Sequence, residues 1–362
     1  MGKLTAGSFL FRTGDILFHP SAVASKLFST KINVRSLVEC KVVAIKPFWK
    51  LTTKLSNVNY NIDTNLSDRI KITHDENPSN NRSRVESLDI LEDDVTESLI
   101  ISATGHKNEQ TLNISVPLRV DLKVLAEGCA TGSISNMENS ALIVKAEQHN
   151  IKLMNIKSNV VTVESNEHIS CCNSIRGDIS LKSESGNITA NKLQGNTISL
   201  STSEGLISVG DLYAKDLSLV ADDGSIRITS IHGDAELQAK GDISAGTAEG
   251  KFNAWSEDGN VQVFLTDKVE SADIVTNTGN ISLAMSEKLG CQIDVEAQEI
   301  DDTATASMFK DVHRQHRGPC SRYRAEVNGG GPRISVKALG GMVKLSTSSW
   351  LEAVSLFNAK NQ

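Results

Sequence analysis

A pattern of about nineteen residues repeats through the middle of the chain, and it constrains the fold more than any other feature. Residues 177–195 read GDISLKSESGNITANKLQG, and residues 196–214 repeat the same order of apolar, polar and glycine positions with few identical side chains. A period of this length predicts a solenoid in which each copy forms one coil. One apolar residue marks each copy at spacings of 17 to 20 residues: Ile134, Ile151, Ile169, Ile188, Ile207, Ile226, Ile243, Val261, Ile281 and Ile300.

Apolar and polar positions alternate within each copy. In the copy marked by Ile207, for example, the apolar Leu200 stands seven residues before the marker. Because successive side chains of a strand point to opposite faces, this alternation predicts strands with one buried face. Glycines two residues before the marker, such as Gly205 and Gly224, predict corners with positive φ. We therefore predict an all-β fold, a parallel β-solenoid of about eleven coils that includes a later copy at Ile334.

Shifts in composition and period divide the chain into four predicted segments. The repeat defines the main domain, and the period breaks once near the C-terminal end, which predicts an inserted loop. Several β-like stretches precede the repeat and are interrupted by a polar loop. The segments are a targeting or disordered segment (1–35), an N-terminal β region (36–120) with a polar loop at 75–97, the β-solenoid (121–349) with an inserted loop at 301–323, and a C-terminal cap (350–362).

The first segment predicts a cellular location. Residues 1–35 carry five Lys or Arg residues and one acid, Asp15, among many Ser and Ala residues. A cationic, Ser-rich and acid-poor N-terminus is typical of a mitochondrial presequence. We therefore predict a mitochondrial location, with a cytoplasmic one as the alternative. The six cysteines show no CxxC spacing, which argues against a disulfide framework and favours a reducing compartment.

Composition also limits the function classes. The net charge of −7 argues against nucleic acid as a partner. No apolar run approaches the length of about eighteen residues that a transmembrane helix needs. The outward positions carry short polar side chains such as Ser180 and Ser199, with few acids and no convergent pair, which argues against an enzyme. No cofactor is predicted, and the expected partner is another protein.

Trp255 is the first candidate interaction residue. It occupies an outward slot that holds Lys182 and Ser201 in other copies. A large apolar side chain on an outer face can mark a contact site. The alternative is that the predicted loop at 301–323 folds over the indole.

The predicted loop itself supplies three further candidates, His313, His316 and Cys320. Their spacing is compatible with three zinc ligands that would need a fourth from elsewhere. The simpler interpretation, which we prefer, is a basic surface loop without a metal. Cys171 and Cys291 stand in slots that are apolar in the other copies, so they are predicted to lie in the core.

The repeats also resemble a known family. The coils at 177–195 and 205–233, the lead-in VPLRVDLKVLAEG and the closing GGMVKLSTSSW are similar to the "putative adhesin" family of β-solenoid domains, a bacterial domain of unknown function. The resemblance covers residues 110–352, and the order of the coils also resembles an animal protein of this type. It implies a right-handed parallel β-solenoid and supplies no catalytic residues. The expected function is a non-enzymatic scaffold or interaction module, with a carbohydrate-binding or carbohydrate-modifying β-helix protein as the alternative.

Overall fold

The computed structural model describes residues 28–32, 41–45, 49–74, 85–93, 96–105, 110–305, 309–317 and 320–348. These residues form strands that belong to one large sheet, and they include no helix, so none of them provides a helix that could cross a membrane. The prediction of an all-β fold is confirmed. The strands are β1 (Phe28–Ile32), β2 (Lys41–Ala44), β3 (Lys50–Ser56), β4 (Asn59–Asn65), β5 (Arg69–His74), β6 (Ser87–Asp93), β7 (Ser98–Thr104), β8 (Thr111–Pro117), β9 (Asp121–Ser135), β10 (Glu138–Ser165), β11 (Ile169–Ser183), β12 (Ile188–Gln194), β13 (Thr197–Ala239), β14 (Ile243–Ser256), β15 (Val261–Thr276), β16 (Ile281–Ser286), β17 (Cys291–Asp301), β18 (Phe309–Arg317), β19 (Cys320–Val327) and β20 (Arg333–Ser348).

Alternation of apolar and polar residues fixes the buried side of the strands. In β7 and β8 every second residue is buried, as period-2 sequences such as SLIISAT predict. The inward Ile, Val and Leu side chains form one continuous core. Cys171 and Cys291 lie in this core, as predicted, and burial raises the pKa of their thiols to about 12 and about 11.

Parallel pairing arranges the middle of the chain in three lanes of stacked strands. Neighbours in each lane are 18 or 19 residues apart in sequence, so the repeat period is the step from one level of the stack to the next. The first lane contains the column Val163, Leu181 and Leu200; the second contains Ile151, Ile169, Ile188 and Ile207; the third contains Ile156, Ile175, Leu193 and Leu212.

The C-terminal end of the stack departs from sequence order. Strand β20 lies between β15–β16 and β17, because Ile334 pairs with Ala272 on one side and with Ile293 on the other. The predicted register, with Ile334 directly following Ile300 in one column, is therefore wrong. Ile300 pairs instead with Val343. Beyond β17 the stack continues through β19 to β18, and both of these steps are antiparallel.

The segment 301–323 also differs from the loop predicted for it. It contains β18 and the start of β19, which form an antiparallel hairpin. The rings of Phe309 and Tyr323 are buried at the base of this hairpin, with 5.6 Å between their centroids. The sequence shows no clear alternation here because residues 310–316 are exposed on both faces of β18.

The N-terminal end is also interleaved. Strands β3 and β4 lie between β9 and the pair β7 and β8. Antiparallel steps then lead from β7 through β6 to β1, and from β8 through β5 to β2. The sheet is therefore mixed, which corrects the prediction of a purely parallel one. The predicted loop at 75–97 contains β6.

The two terminal segments are described only in small part. Strand β1 lies within the predicted targeting or disordered segment 1–35, and the rest of that segment lies outside the described residues. The predicted cap at 350–362 lies outside them entirely.

The glycines before the marker residues are explained by close packing more than by φ. Of the five glycines predicted to need a positive φ (Gly186, Gly205, Gly224, Gly259 and Gly279), Gly205 has one, at 141°. At Gly224, a Cβ atom would lie 1.8 Å from the carbonyl oxygen of Gly205 on the next level. The level-to-level contact therefore leaves no room for a side chain at Gly224.

Candidate functional site

The exposed side of the first lane carries Trp255. The residue lies in β14, and 36% of its surface is exposed, whereas its neighbours Ala254 and Ser256 are buried. The indole therefore points outward, as predicted from the slot it occupies. Strand pairing extends the row from Trp255 towards the C-terminal hairpin through Val275, Lys337, Glu296, Arg322 and Gln315. We name this side of the first lane, from β14 to β18, the Trp255 face.

A second row of outward residues runs beside the first. Its members are two residues away from those of the first row, earlier in each strand except in the antiparallel β19, where Arg324 follows Arg322, so they share the same face. The row consists of Asn253, Asp273, Ser335, Asp294, Arg324 and His313. Both rows reach the hairpin because β20 is inserted between β15 and β17.

Arginines surround Asp294 near the end of the Trp255 face. The Nε and Nη2 atoms of Arg322 donate to the two carboxylate oxygens at 3.0 and 2.7 Å, and Nε of Arg324 donates at 3.1 Å. Arg333 lies further out, with Nη2 at 3.9 Å. The hydrogen bond and charge of Arg322, helped by Arg324, lower the pKa of Asp294, so the carboxylate stays charged at neutral pH. An open groove of about 400 Å³ adjoins the cluster and is lined in part by Arg324, Arg333 and Glu326.

The three candidates in the hairpin do not converge on one point. His313 pairs with Arg324 and belongs to the Trp255 face. Cys320 shares that face by strand alternation. His316 lies on the opposite face, where its Nδ1 atom is 2.9 Å from Oγ of Ser321. Within the described residues no three His, Cys, Asp or Glu side chains are placed to hold a metal ion.

A ladder of side chains in the third lane was missed by the sequence analysis. The rings of Tyr213 and His232 stack at 4.4 Å with an interplanar angle of 8°. Nδ1 of His232 lies 3.0 Å from Oε2 of Glu249, and Nζ of Lys268 lies 3.2 Å from Oε1. Burial alone would raise the pKa of Glu249, but the hydrogen bonds from His232 and Lys268 outweigh it and lower the pKa. These four residues are 19, 17 and 19 residues apart, which matches the repeat. Their spacing is the signal from which the sequence could have predicted the ladder.

The ladder connects successive levels and does not form an open aromatic platform. Nζ of Lys192 lies 4.7 Å from the centre of the Tyr213 ring, on which His232 also stacks. Contacts of this kind fill the space over the ring. A sugar-binding platform needs an open ring face, so this ladder is better explained as a clamp between coils.

Two buried polar side chains lie inside the stack, close to its N-terminal end. The rings of Tyr60 and His149 are 6.3 Å apart, and both residues are almost completely buried. Neither ring nitrogen of His149 has a hydrogen-bond partner among the described residues. Burial lowers the pKa of His149, because a charged imidazolium would lose its hydration there. His149 is therefore neutral in the folded chain at neutral pH.

This burial predicts an acid-dependent loss of stability. The unfolded chain takes up a proton at His149 near the ordinary pKa of about 6.5, whereas the lowered pKa of the folded chain delays this uptake to a lower pH. The free energy of unfolding should therefore fall as the pH drops below about 6.5, by at most about 1.4 kcal/mol per pH unit from this residue. Urea unfolding at several pH values should show a shallower slope for His149→Leu. The exposed His313→Leu serves as the control, and an unchanged slope in His149→Leu would contradict the assignment.

Comparison with known proteins identifies a family. A family model described as Toastrack DUF4097 matches residues 50–328. No protein in the curated comparison matches the chain. A structure titled a "putative cell adhesion protein" from Clostridium sporogenes aligns at 9% identity over 86% of this chain and 100% of its own, with a TM-score of 0.19. A "putative adhesin" from Bacteroides fragilis aligns at 8% identity over 87% of this chain and 98% of its own, with a TM-score of 0.24. Neither alignment is close enough to support a functional inference.

These comparisons correct one prediction and leave another without support. The mitochondrial location predicted from residues 1–35 is contradicted by the match to the Toastrack DUF4097 family, which points to a bacterial protein. The resemblance to an animal protein finds no support among the matches. The resemblance to a β-solenoid domain of unknown function is confirmed at the level of the family. The family model spans well over half of the length of the chain, and the chain therefore belongs to the Toastrack DUF4097 family.

Proposed function

We propose that this chain is a non-enzymatic scaffold that binds another protein through the Trp255 face. One observation carries the proposal. Strand pairing joins the exposed Trp255 to Arg322 and His313 of the hairpin on one continuous side of the first lane. Tryptophan and arginine, which share this face, are residue types that are enriched at protein interfaces.

The chemistry of the face supports binding over catalysis. Asp294 is the carboxylate at the centre of the arginine cluster, and its oxygens accept hydrogen bonds from Arg322 and Arg324. A carboxylate held charged in this way is poorly suited to act as a general acid. The neighbouring Ser335 and Asn253 offer short polar groups that suit hydrogen bonding to a partner.

In this proposal the N-terminal β region (36–120) and the repeat region (121–349) act as one scaffold. The pairing of β3 and β4 with β9 across this boundary supports the idea that the two regions act together. A right-handed winding of about eleven coils remains a prediction from the repeat and the family resemblance.

A carbohydrate-binding or carbohydrate-modifying β-helix is the alternative, and less supports it. Sugar sites in such proteins need aromatic rings with open faces and, for hydrolysis, a suitably spaced pair of carboxylates. Along the Trp255 face the described residues offer one exposed indole. Tyr213 and His232 stack on each other in the third lane and so do not offer open ring faces.

The proposal is tested by removing the indole. The full chain is fused to a proximity-labelling enzyme in cells of its source organism, and Trp255→Ala is compared with Val160→Ala. Val160 is a matched control because it is also exposed and apolar but lies in β10, away from the face. We expect Trp255→Ala to lose a defined set of protein neighbours at unchanged melting temperature. Identical neighbours for both variants would contradict the proposal, and loss of polysaccharide binding instead would favour the alternative.

A further inference from the structure

The arginines around Asp294 offer more hydrogen-bond donors than this carboxylate uses. Arg322 alone donates to both oxygens of Asp294, through Nε at 3.0 Å and Nη2 at 2.7 Å. Arg324 adds one hydrogen bond from Nε at 3.1 Å, and Nη2 of Arg333 lies 3.9 Å away. Among the described residues, the Nη atoms of Arg324 and the guanidinium nitrogens of Arg333 have no hydrogen-bond acceptor. Both side chains therefore keep donors for a ligand.

These remaining donors are exposed and line one open groove. The side chain of Arg324 is 57% exposed and that of Arg333 is 73% exposed. Both line the groove of about 400 Å³ beside the cluster. The hydrogen bond from Nε of Arg324 to Asp294 holds that guanidinium group in place before a ligand arrives. Binding to a group that is already ordered costs less conformational entropy.

The formal charge around the groove is small and positive. Strand pairing places Lys310 opposite Glu326 and Lys337 opposite Glu296, so each of these pairs is neutral. The other charged residues described in and beside the groove are three arginines and two acids, three minus two or +1: Arg322, Arg324, Arg333, Asp294 and Asp311. A single carboxylate would neutralise this charge. A phosphate group, with a charge of about −1.5 to −2, would leave an excess of negative charge.

We propose that this groove binds an Asp or Glu side chain of the partner protein, with the carboxylate held between Arg324 and Arg333. Arginine donors match the two oxygens of a carboxylate, and such pairs are stronger than neutral hydrogen bonds. Because Asp311 and Glu326 line the same groove, they would repel a second acidic residue beside the first. The partner segment therefore presents one isolated carboxylate. This inference rests on the binding role proposed for the Trp255 face and names the chemistry of its partner.

A peptide array tests the proposal with the labelled full chain. Its nonapeptides are capped at both ends and have Glu, Gln or phosphoserine fixed at the centre, with the other positions drawn at random from residues other than Asp and Glu. We expect about tenfold more chain on the Glu pool than on the Gln pool, because hydrogen bonds to a charged group contribute that much to binding. Equal signals on these two pools would overturn the proposal. A stronger signal on the phosphoserine pool than on the Glu pool would overturn it in favour of a phosphate site.

Substitutions of the two arginines then locate the site. Arg324→Gln with Arg333→Gln leaves the pair of Arg322 and Asp294 in place, and it should remove the preference for Glu over Gln. Arg333→Gln alone should reduce that preference at least about threefold, and this exposed side chain has no described hydrogen bond whose loss could unfold the chain. The matched control is Arg227→Gln, an exposed arginine of β13 away from the Trp255 face, which should keep the full preference. Full preference in both Arg333→Gln and the double variant would overturn the proposal.

The array separates failure of the carboxylate site from failure of the proposed binding role. Trp255→Ala tests that role through the cellular neighbours, whereas the ratio of the Glu and Gln signals depends on Arg324 and Arg333. If Trp255→Ala loses its neighbours but the wild type shows no preference for Glu, the carboxylate site alone is wrong. If Trp255→Ala keeps every neighbour, the binding role of the Trp255 face is wrong whatever the array shows.

Discussion

Replacement of Gly224 by Ala is expected to destabilise the chain strongly, although its backbone is not left-handed. The Cβ atom of the alanine would lie 1.8 Å from the carbonyl oxygen of Gly205. That oxygen belongs to the backbone of an adjacent level and can move only if the two levels separate. Overpacking of this kind costs about 3 kcal/mol or more where a backbone atom blocks the new group. Urea unfolding of the wild type and of Gly224→Ala measures the difference.

Gly329→Ala is the matched control because it separates φ from crowding. Gly329 has a φ of 85°, and nothing lies within 4 Å of an added Cβ atom. The expected destabilisation is therefore only the cost of placing an alanine in a left-handed backbone conformation, about 1–2 kcal/mol. A larger loss for Gly329→Ala than for Gly224→Ala would contradict the packing explanation and restore the corner φ as the main reason for glycine in the repeat.

Leu200→Asp is the second substitution with a large expected effect. Leu200 is completely buried in the first lane, where it pairs with Leu181 of the level before it. An aspartate there would place an unpaired charge in the core, at a cost of roughly 3–5 kcal/mol. The loss should appear as a lower urea midpoint, and a marginally stable chain would not fold at all.

The neighbouring Ser199 provides the control for that substitution. It pairs with Ser180 on the outward side of the same strand, so its side chain reaches solvent. Ser199→Asp should change the free energy of unfolding by less than about 0.5 kcal/mol. Equal destabilisation by Leu200→Asp and Ser199→Asp would mean that the assignment of buried and exposed faces is wrong.

The middle of the fold could be predicted from the sequence because its pairings follow the period. Ile169, Ile188 and Ile207 pair in register, as the spacing of the markers predicts. The ends could not be predicted, because their pairings join strands that are not consecutive. Ile334 pairs with Ala272 across several intervening strands, and no local pattern encodes that contact. Antiparallel strands at the ends also have no counterpart in a parallel repeat.

The candidate site was predicted only where its residues belong to regular copies of the repeat. Trp255 stands in a regular copy, so its outward direction followed from alternation. The arginine cluster was missed because Asp294, Arg322 and Arg333 come from three strands whose order in the stack differs from their order in the chain. His313 and His316 were grouped as members of one loop, but they belong to a strand and therefore point to opposite faces.

The central claim is that Trp255 and the hairpin share one face, and this depends on the position of β20. Ser335 of β20 pairs with Asp273 of β15 and with Asp294 of β17. Directly paired residues on adjacent strands are close enough for a disulfide, since strands lie about 4.8 Å apart. If β20 instead followed β17 in sequence order, as the repeat alone predicts, Ser335 would lie beside Asp301.

Disulfide cross-linking tests this claim most directly. The pairs Asp273→Cys with Ser335→Cys and Asp301→Cys with Ser335→Cys are prepared with the exposed Cys129 replaced by Ser. After oxidation, mass spectrometry of proteolytic fragments identifies the bonds formed within monomers. We expect the Asp273–Ser335 positions to join readily and the Asp301–Ser335 positions to remain reduced. If the Asp301–Ser335 positions join instead, β20 does not lie between β15 and β17. The pairing that connects Trp255 to the hairpin would then be wrong, and this result would contradict the claim that they share one face.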